Sequence, residues 1–191
     1  MTASRGPLPR ATALAAVARC VVVSAALLAR RRIRLAGGNV GRVIRFDDGT
    51  SARVYRETVA LRQAQEPCVL VVTFRLRGVR GRRGHTLFRR ESLLNTPLFV
   101  GFPGFVSKLW LADDDLGRYR GLYEWDGAQR AERYARSLWR VLELVSEKGS
   151  IDYRVVPGAR RDQVLVQPRL LAGSGPAAER WWRVGQARPT P

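Results

Sequence analysis

The chain predicts an α+β fold, one sheet with its helices on a single face, and three observations predict it. Near-continuous apolar residues in CVLVVTFRLRG, Cys68 to Gly78, read as a central strand whose last residues emerge toward a rim. The segments Val106 to Ala112 and Tyr119 to Trp125 are joined by DDDLGR, and a chain that turns back over so few residues pairs antiparallel. From Ala128 to about Ser146, the positions Ala131, Tyr134, Ala135, Leu138, Leu142 and Val145 recur at three- and four-residue steps, the stripe of an amphipathic helix.

The elements follow in chain order. ATALAAVARCVVVSAALLA, Ala11 to Ala29, is apolar and bordered by Arg10 and by Arg30 to Arg32, with Arg19 in its middle. Its length approaches that of a membrane span. Three readings stay open: a helix docked on the domain or a poorly ordered leader, a helix on or in the inner face of the cell membrane, and an export signal. The last lacks a small-residue cleavage site, because RRRIR follows directly. Val40 to Phe46 and TSARVYRETV flank Asp47-Asp48-Gly49, which makes a hairpin with glycine at the turn. LRQAQEP, Leu61 to Pro67, is a connector. After the central strand, Gly78, Gly81 and Gly84 alternate with arginines without spelling a phosphate-binding loop. HTLFRRESLLNTPLFVGF carries Leu87, Glu91 and Leu94 at helical spacing, ended or kinked by Pro97. IDYRVVPG supplies a last strand. In the tail, VLVQ at Val164 to Gln167 is strand-like, and the remainder, rich in alanine, glycine and proline, reads as irregular despite Trp181 and Trp182. The division is 1–33 for the apolar and basic helix, 34–66 for the hairpin and connector, 67–158 for the folded domain and 159–191 for the extension.

Strand, helix, strand, strand, helix, strand leaves one sheet face bare of helices, and a second copy of the chain is the economical cover. The 191 residues carry a formal charge of +18. The basic residues are scattered arginines with no accompanying recognition motif, which argues against nucleic acid as the partner. The two lysines are Lys108 and Lys148. Cys20 and Cys68 form neither a CxxC pair nor a metal cluster, which fits a reducing, cytoplasmic compartment, and one histidine with two dispersed cysteines makes no zinc site.

Residues 69–157 resemble the mono-oxygenase family of the dimeric α+β barrel superfamily, small ferredoxin-like proteins. The matching pieces are TFRLRGVRG at Thr73 to Gly81, PGFVSKLW at Pro103 to Trp110, GLYEWDG at Gly121 to Gly127, and Tyr134 in the second helix. The resemblance implies a ferredoxin-like βαββαβ domain that pairs face to face as a homodimer, here with an added N-terminal helix and hairpin. It also implies cofactor-independent mono-oxygenation of a hydrophobic aromatic molecule in the barrel cavity, with no metal or cofactor. The alternative is a non-catalytic ligand-binding dimer, or a scaffold attached to an anionic membrane surface.

Such chemistry needs a base and donors for an oxyanion. His85, the single histidine, is a candidate base by its unperturbed pKa, and its place equally suits an exposed helix start. Asn95 and Trp110 are candidates to polarise a phenolate, and Tyr123 to donate. These four are the catalytic candidates. Alternation puts Thr73 with Arg75, Lys108 with Trp110, and Tyr123 with Trp125, each pair on one face. Thr73, Arg75, Lys108 and Trp125, together with Tyr134, which the resemblance implies, are the candidate substrate contacts, and the sequence leaves open which face meets the helices. Lys108 in an interior calls for an anion, Glu124 or Glu91.

Overall fold

The computed structural model describes residues 6–78, 96–171 and 180–188. Four strands form the centre: β4 (Pro67–Arg75), β5 (Phe105–Leu111), β6 (Arg118–Asp126) and β7 (Asp152–Pro157). They lie in the order β7-β4-β6-β5 with every pair antiparallel. That is fourth, first, third, second, the ferredoxin-like arrangement, in which each crossover skips over one strand. Helix α2 (Ala128–Leu142) makes the crossover from β6 to β7. The counterpart between β4 and β5, with the predicted helix around Leu87 to Leu94, lies outside the described residues.

Three extension strands continue the sheet past β5. These are β2 (Val43–Phe46), β3 (Ser51–Ala60) and β8 (Val184–Arg188), while β1 (Ile33–Ala36) pairs with the far end of β3. The result is an eight-stranded, curled antiparallel sheet. The hairpin predicted around Asp47-Asp48-Gly49 is β2–β3, and Gly49 takes φ of 84° at its turn. At the entry to β5, Gly104 sits at φ 94°, and a Cβ there would lie 2.8 Å from the carbonyl oxygen of Asp126. Only glycine fits that turn without displacing β6.

The sheet is buried on both faces, which is why its central strands read as apolar runs rather than as alternation. On one face lie α2 and α1 (Arg10–Ala29), over Cys68, Leu70, Val72, Phe105, Trp125 and Tyr153. On the other lie Val69, Val71, Leu109, Leu111 and Leu122, and the chain covers them itself. The cover comes from Ile44, Phe46 and Val54 of the hairpin, Val164 and Leu165 of α3 (Arg161–Val166), Leu171 of a 3₁₀ turn (Pro168–Leu171), and Trp182. The argument for a second copy rested on that face being bare, and it is not bare. No partner chain is needed there to bury it.

Two expectations for the tail are corrected. Val164 to Gln167, read as strand-like, is the end of α3 with its C-cap Gln167, and Val164 and Leu165 are both buried against the sheet. The stretch around Trp182 is not loose: Trp182 is fully buried, and β8 pairs with β2.

Two buried ion clusters fasten the extensions. Arg120 donates to Asp114 at 2.7 Å and to Asp48 at 3.2 Å, and Arg118 bonds the same two carboxylates. They join the β2–β3 turn to the β5–β6 turn. The acidic turn buries Asp114 as an anchor that also accepts from the backbone N–H groups of Leu116 and Arg118. Burial alone would raise the Asp114 pKa, but the Arg118 N–H and the two guanidiniums outweigh it and leave it below the ordinary value. The second cluster pairs Arg161 of α3 with Glu57 of β3 at 2.6 Å.

Candidate functional site

A cavity of about 700 Å³ lies between the helix-covered face of the sheet and α2. Val72 and Phe74 of β4, Lys108 and Trp110 of β5, and Tyr123 of β6 form its floor, since residues two apart on a strand share a face. Tyr134, Leu138 and Val141 of α2 form its roof. Tyr55 and Phe99 close one side, and Leu76, Arg77 and the exposed Leu144 lie at its rim. The walls are mostly apolar and none of the described lining residues carries a carboxylate.

Lys108 is the unusual group in this site. Its side chain is buried, and its Nζ lies 3.1 Å from the ring centroid of Trp110, 4.6 Å from that of Phe99 and 4.9 Å from that of Tyr123. No carboxylate or other acceptor among the described residues reaches it. Glu124, a partner expected from sequence, is on the opposite face, where it binds Arg160 and accepts from the Arg161 backbone N–H. Glu91 lies outside the described residues. Burial, reinforced by the nearby positive charge of Arg56, pushes the Lys108 amine well below its ordinary pKa. The three ring faces act in the other direction, because they attract the ammonium form.

Two of the lining hydroxyls are bonded to each other. Tyr134 donates to the Tyr123 oxygen at 3.2 Å, so the proton of Tyr123 is left to point elsewhere. Burial raises the pKa of both phenols, so they stay neutral donors. Trp110 gives its indole N–H to Thr58 at 3.1 Å and therefore offers the cavity its ring face. Trp125 is fully buried against Tyr134, with ring centroids 4.7 Å apart, beneath the roof rather than on the cavity wall.

The structure thus brings together Lys108, Trp110, Tyr123 and Tyr134, with Trp125 packed behind them. Thr73 and Arg75 alternate with Val72 and Phe74 and sit on the other face. Thr73 donates to the Tyr119 carbonyl, and Arg75 is an exposed residue near Glu147. His85 and Asn95 lie outside the described residues. Lining residues beyond the candidate set include Tyr55, Phe99, Arg120 and Gly121. Tyr55 and Phe99 reach the site through tertiary placement. Arg120 and Gly121 flank the predicted strand pair, and Gly121 leaves room for the Tyr123 ring, whose Cε2 lies 2.5 Å from where a Cβ would be.

No protein-family model matches the chain, and no curated protein does. Among solved structures, it is similar to a ferredoxin-fold protein of Listeria monocytogenes related to antibiotic-biosynthesis mono-oxygenases. The identity is 14%, over 71% of this chain and 87% of that one, with a TM-score of 0.39. It is also similar to a mono-oxygenase-like protein of Listeria innocua, at 13% identity over 67% of this chain and 93% of that one, with a TM-score of 0.41. The ferredoxin-like reading rests on the strand order itself.

Proposed function

We propose that the chain is a small-molecule enzyme that takes a hydrophobic phenol into the cavity and acts as a cofactor-independent mono-oxygenase. The observation that carries the reading is a buried lysine without an anionic partner at the wall of an aromatic cavity. In its neutral form, Lys108 accepts the phenol proton. The ammonium so formed lies against three ring faces and pairs with the phenolate, while Tyr123 donates its proton as a hydrogen bond to the same oxygen. The electron-rich ring then reacts with dioxygen, one oxygen atom entering the product as a carbonyl and the other leaving as water. His85 and Asn95 remain the sequence candidates for guiding these proton transfers.

The test is a panel of polycyclic phenols, with binding followed by tryptophan fluorescence and turnover by dioxygen uptake. Lys108→Met is expected to abolish uptake. Tight binding of phenols with no oxygen consumption by the parent chain would replace the enzyme with a binding protein. Absence of both would remove the reading altogether.

A second reading concerns location, and the outward face of α1 favours it. The helix docks through small residues, Ala13, Cys20 and Ser24, with Cys20 and Ser24 both donating to the Pro97 carbonyl. Its exposed side carries Leu14 at 65% and Val22 at 71% of full exposure, with Val21 and Leu28. A helix docked on a protein in water normally shows the reverse. Arg10, Arg19, Arg30, Arg31 and Arg32 are exposed along or beside it. We infer that α1 rests in an anionic membrane interface, where apolar insertion and the arginines add. Leu14→Glu with Val22→Glu is expected to abolish flotation with phosphatidylglycerol vesicles, and equal recovery of parent and variant in the soluble fraction would refute it.

A further inference from the structure

We propose that Lys108 forms an imine with an aldehyde or ketone carried by an aromatic ligand in the cavity, so that carbonyl compounds are a ligand class of this site. The inference rests on the cavity reading above and adds a covalent step to it. Geometry carries it. The Lys108 amine borders the cavity, is buried among ring faces, and has no hydrogen-bond acceptor or carboxylate among the described residues. An amine held in an ion pair has no lone pair to offer, whereas a desolvated lysine beside another cation is an activated nucleophile.

The charged and titratable groups around it are few. Arg56 and Tyr55 face it from β3, with the Arg56 guanidinium 4.9 Å from the Trp110 ring centroid. Tyr119, Arg120 and Tyr123 belong to β6, Tyr134 to α2, and Arg77 to the rim. Arg120 is held by Asp114, and Arg77 donates to the carbonyls of Glu143 and Ser146. None of these groups is an anion at neutral pH, so nothing described here holds Lys108 in its protonated form except the ring faces. Those same faces stabilise a protonated imine, which is also a cation.

The step balances without an oxidant or a reductant. The amine lone pair attacks the carbonyl carbon, the C–N bond forms, and the carbonyl π electrons move to oxygen, which takes up a proton. Tyr123 is placed to supply it. The amine nitrogen loses its two protons, one returning to Tyr123, the carbinol oxygen leaves as water, and the C=N bond remains. Amine plus carbonyl gives imine plus water.

The sequence contains its own control, because Lys148 is the other lysine of the two and is exposed. The full chain is incubated at pH 7 with 2-naphthaldehyde and cyanoborohydride, which reduces any imine to a stable secondary amine, and the modified peptides are mapped by mass. Labelling of Lys108 is expected to exceed that of the exposed Lys148 by about tenfold, because the desolvated amine is the activated nucleophile. 2-Naphthol, which cannot form an imine, should bind and suppress the Lys108 adduct. Tyr123→Phe should slow the adduct, because the proton donor to the carbonyl oxygen is lost. Equal labelling of Lys108, Lys148 and the N-terminal amine overturns the inference. Naphthol binding without a Lys108 adduct overturns it while leaving the cavity reading intact, and failure of naphthol to bind removes both.

Discussion

Trp182→Ala tests whether the tail replaces a partner subunit. Trp182 is fully buried on the sheet face opposite the helices, within the cluster that includes Val69, Val71, Leu109 and Leu122. Its indole N–H has no partner among the described residues, so the substitution removes packing without breaking a hydrogen bond of that group. The guanidinium carbons of Arg154 and Arg183 lie 5.3 and 5.2 Å from its ring centroid. Emptying a fully buried tryptophan site costs about 3 to 5 kcal/mol. For a chain of this size, each kcal/mol lowers the melting temperature by roughly 2 to 4 °C, so the expected fall is roughly 6 to 20 °C. Trp182→Phe keeps an aromatic ring over the sheet and should lose clearly less. Thermal unfolding is to be measured with light scattering on the same samples. The parent should scatter as a monomer, and the alanine variant should show concentration-dependent association, because it exposes part of an apolar sheet face. A melting temperature within about 2 °C of the parent, with a monomer mass for both, would refute the claim that the tail serves as cover. A stable dimer of the parent would show that pairing occurs despite that cover.

Other substitutions test the site and its supports. Gly121→Ala puts a Cβ 2.5 Å from the Tyr123 ring, so it should displace that ring, cost about 1 to 3 kcal/mol and weaken phenol binding measured by fluorescence. Gly101→Ala puts a Cβ 2.2 Å from the Cys20 carbonyl oxygen, so it should dislodge α1. Cys20 alkylation should then accelerate while Cys68, whose thiol burial pushes up to about 12, stays protected. Asp114→Asn weakens a pair whose two side chains are fully buried and should cost about 3 kcal/mol at neutral pH. The folded-state pKa of Asp114 is depressed, so its stabilisation is whole above the ordinary 3.8 and is lost as pH falls through the lower folded value. The stability difference between parent and variant in urea titrations should therefore shrink below that pH.

The elements legible in the sequence were those with a local signal. The strand pair around Asp113 to Asp115, the stripe of α2 and the turn at Gly49 all depend on neighbours within a few residues, and the structure has them as β5–β6, α2 and β2–β3. What was not legible depends on residues far apart in sequence. A sheet covered by helices on one side and by its own tail on the other gives apolar residues on both faces. Alternation could therefore pair Lys108 with Trp110 and Tyr123 with Trp125 without saying which face they share with the helices. The tail gave little warning because a single buried tryptophan does more to cover a sheet than its alanine- and glycine-rich surroundings suggest.

Lys108 shows the same limit in its chemistry. An interior lysine led to a search for a carboxylate, and Glu124 was near in strand register: Lys108 pairs with Tyr123, and Glu124 is the next residue along β6. One residue in a strand is a change of face, so the register that brings Glu124 close also turns it toward Arg160 and Arg161 of the tail. Strand geometry, and not the tail, thus keeps Glu124 from the site. By covering the second face, the tail supplies partners for that acid. The amine on the first face is left with aromatic rings alone. If Glu124 is held away from Lys108 by the alternation of β6, removing its tail partners should leave the cavity unchanged. Arg160→Ala should lower stability while phenol affinity and Lys108 labelling stay as in the parent. A rise in the apparent pKa of Lys108 labelling in that variant would mean that Glu124 can reach across, and that the isolation of the amine is maintained by the tail rather than by strand geometry.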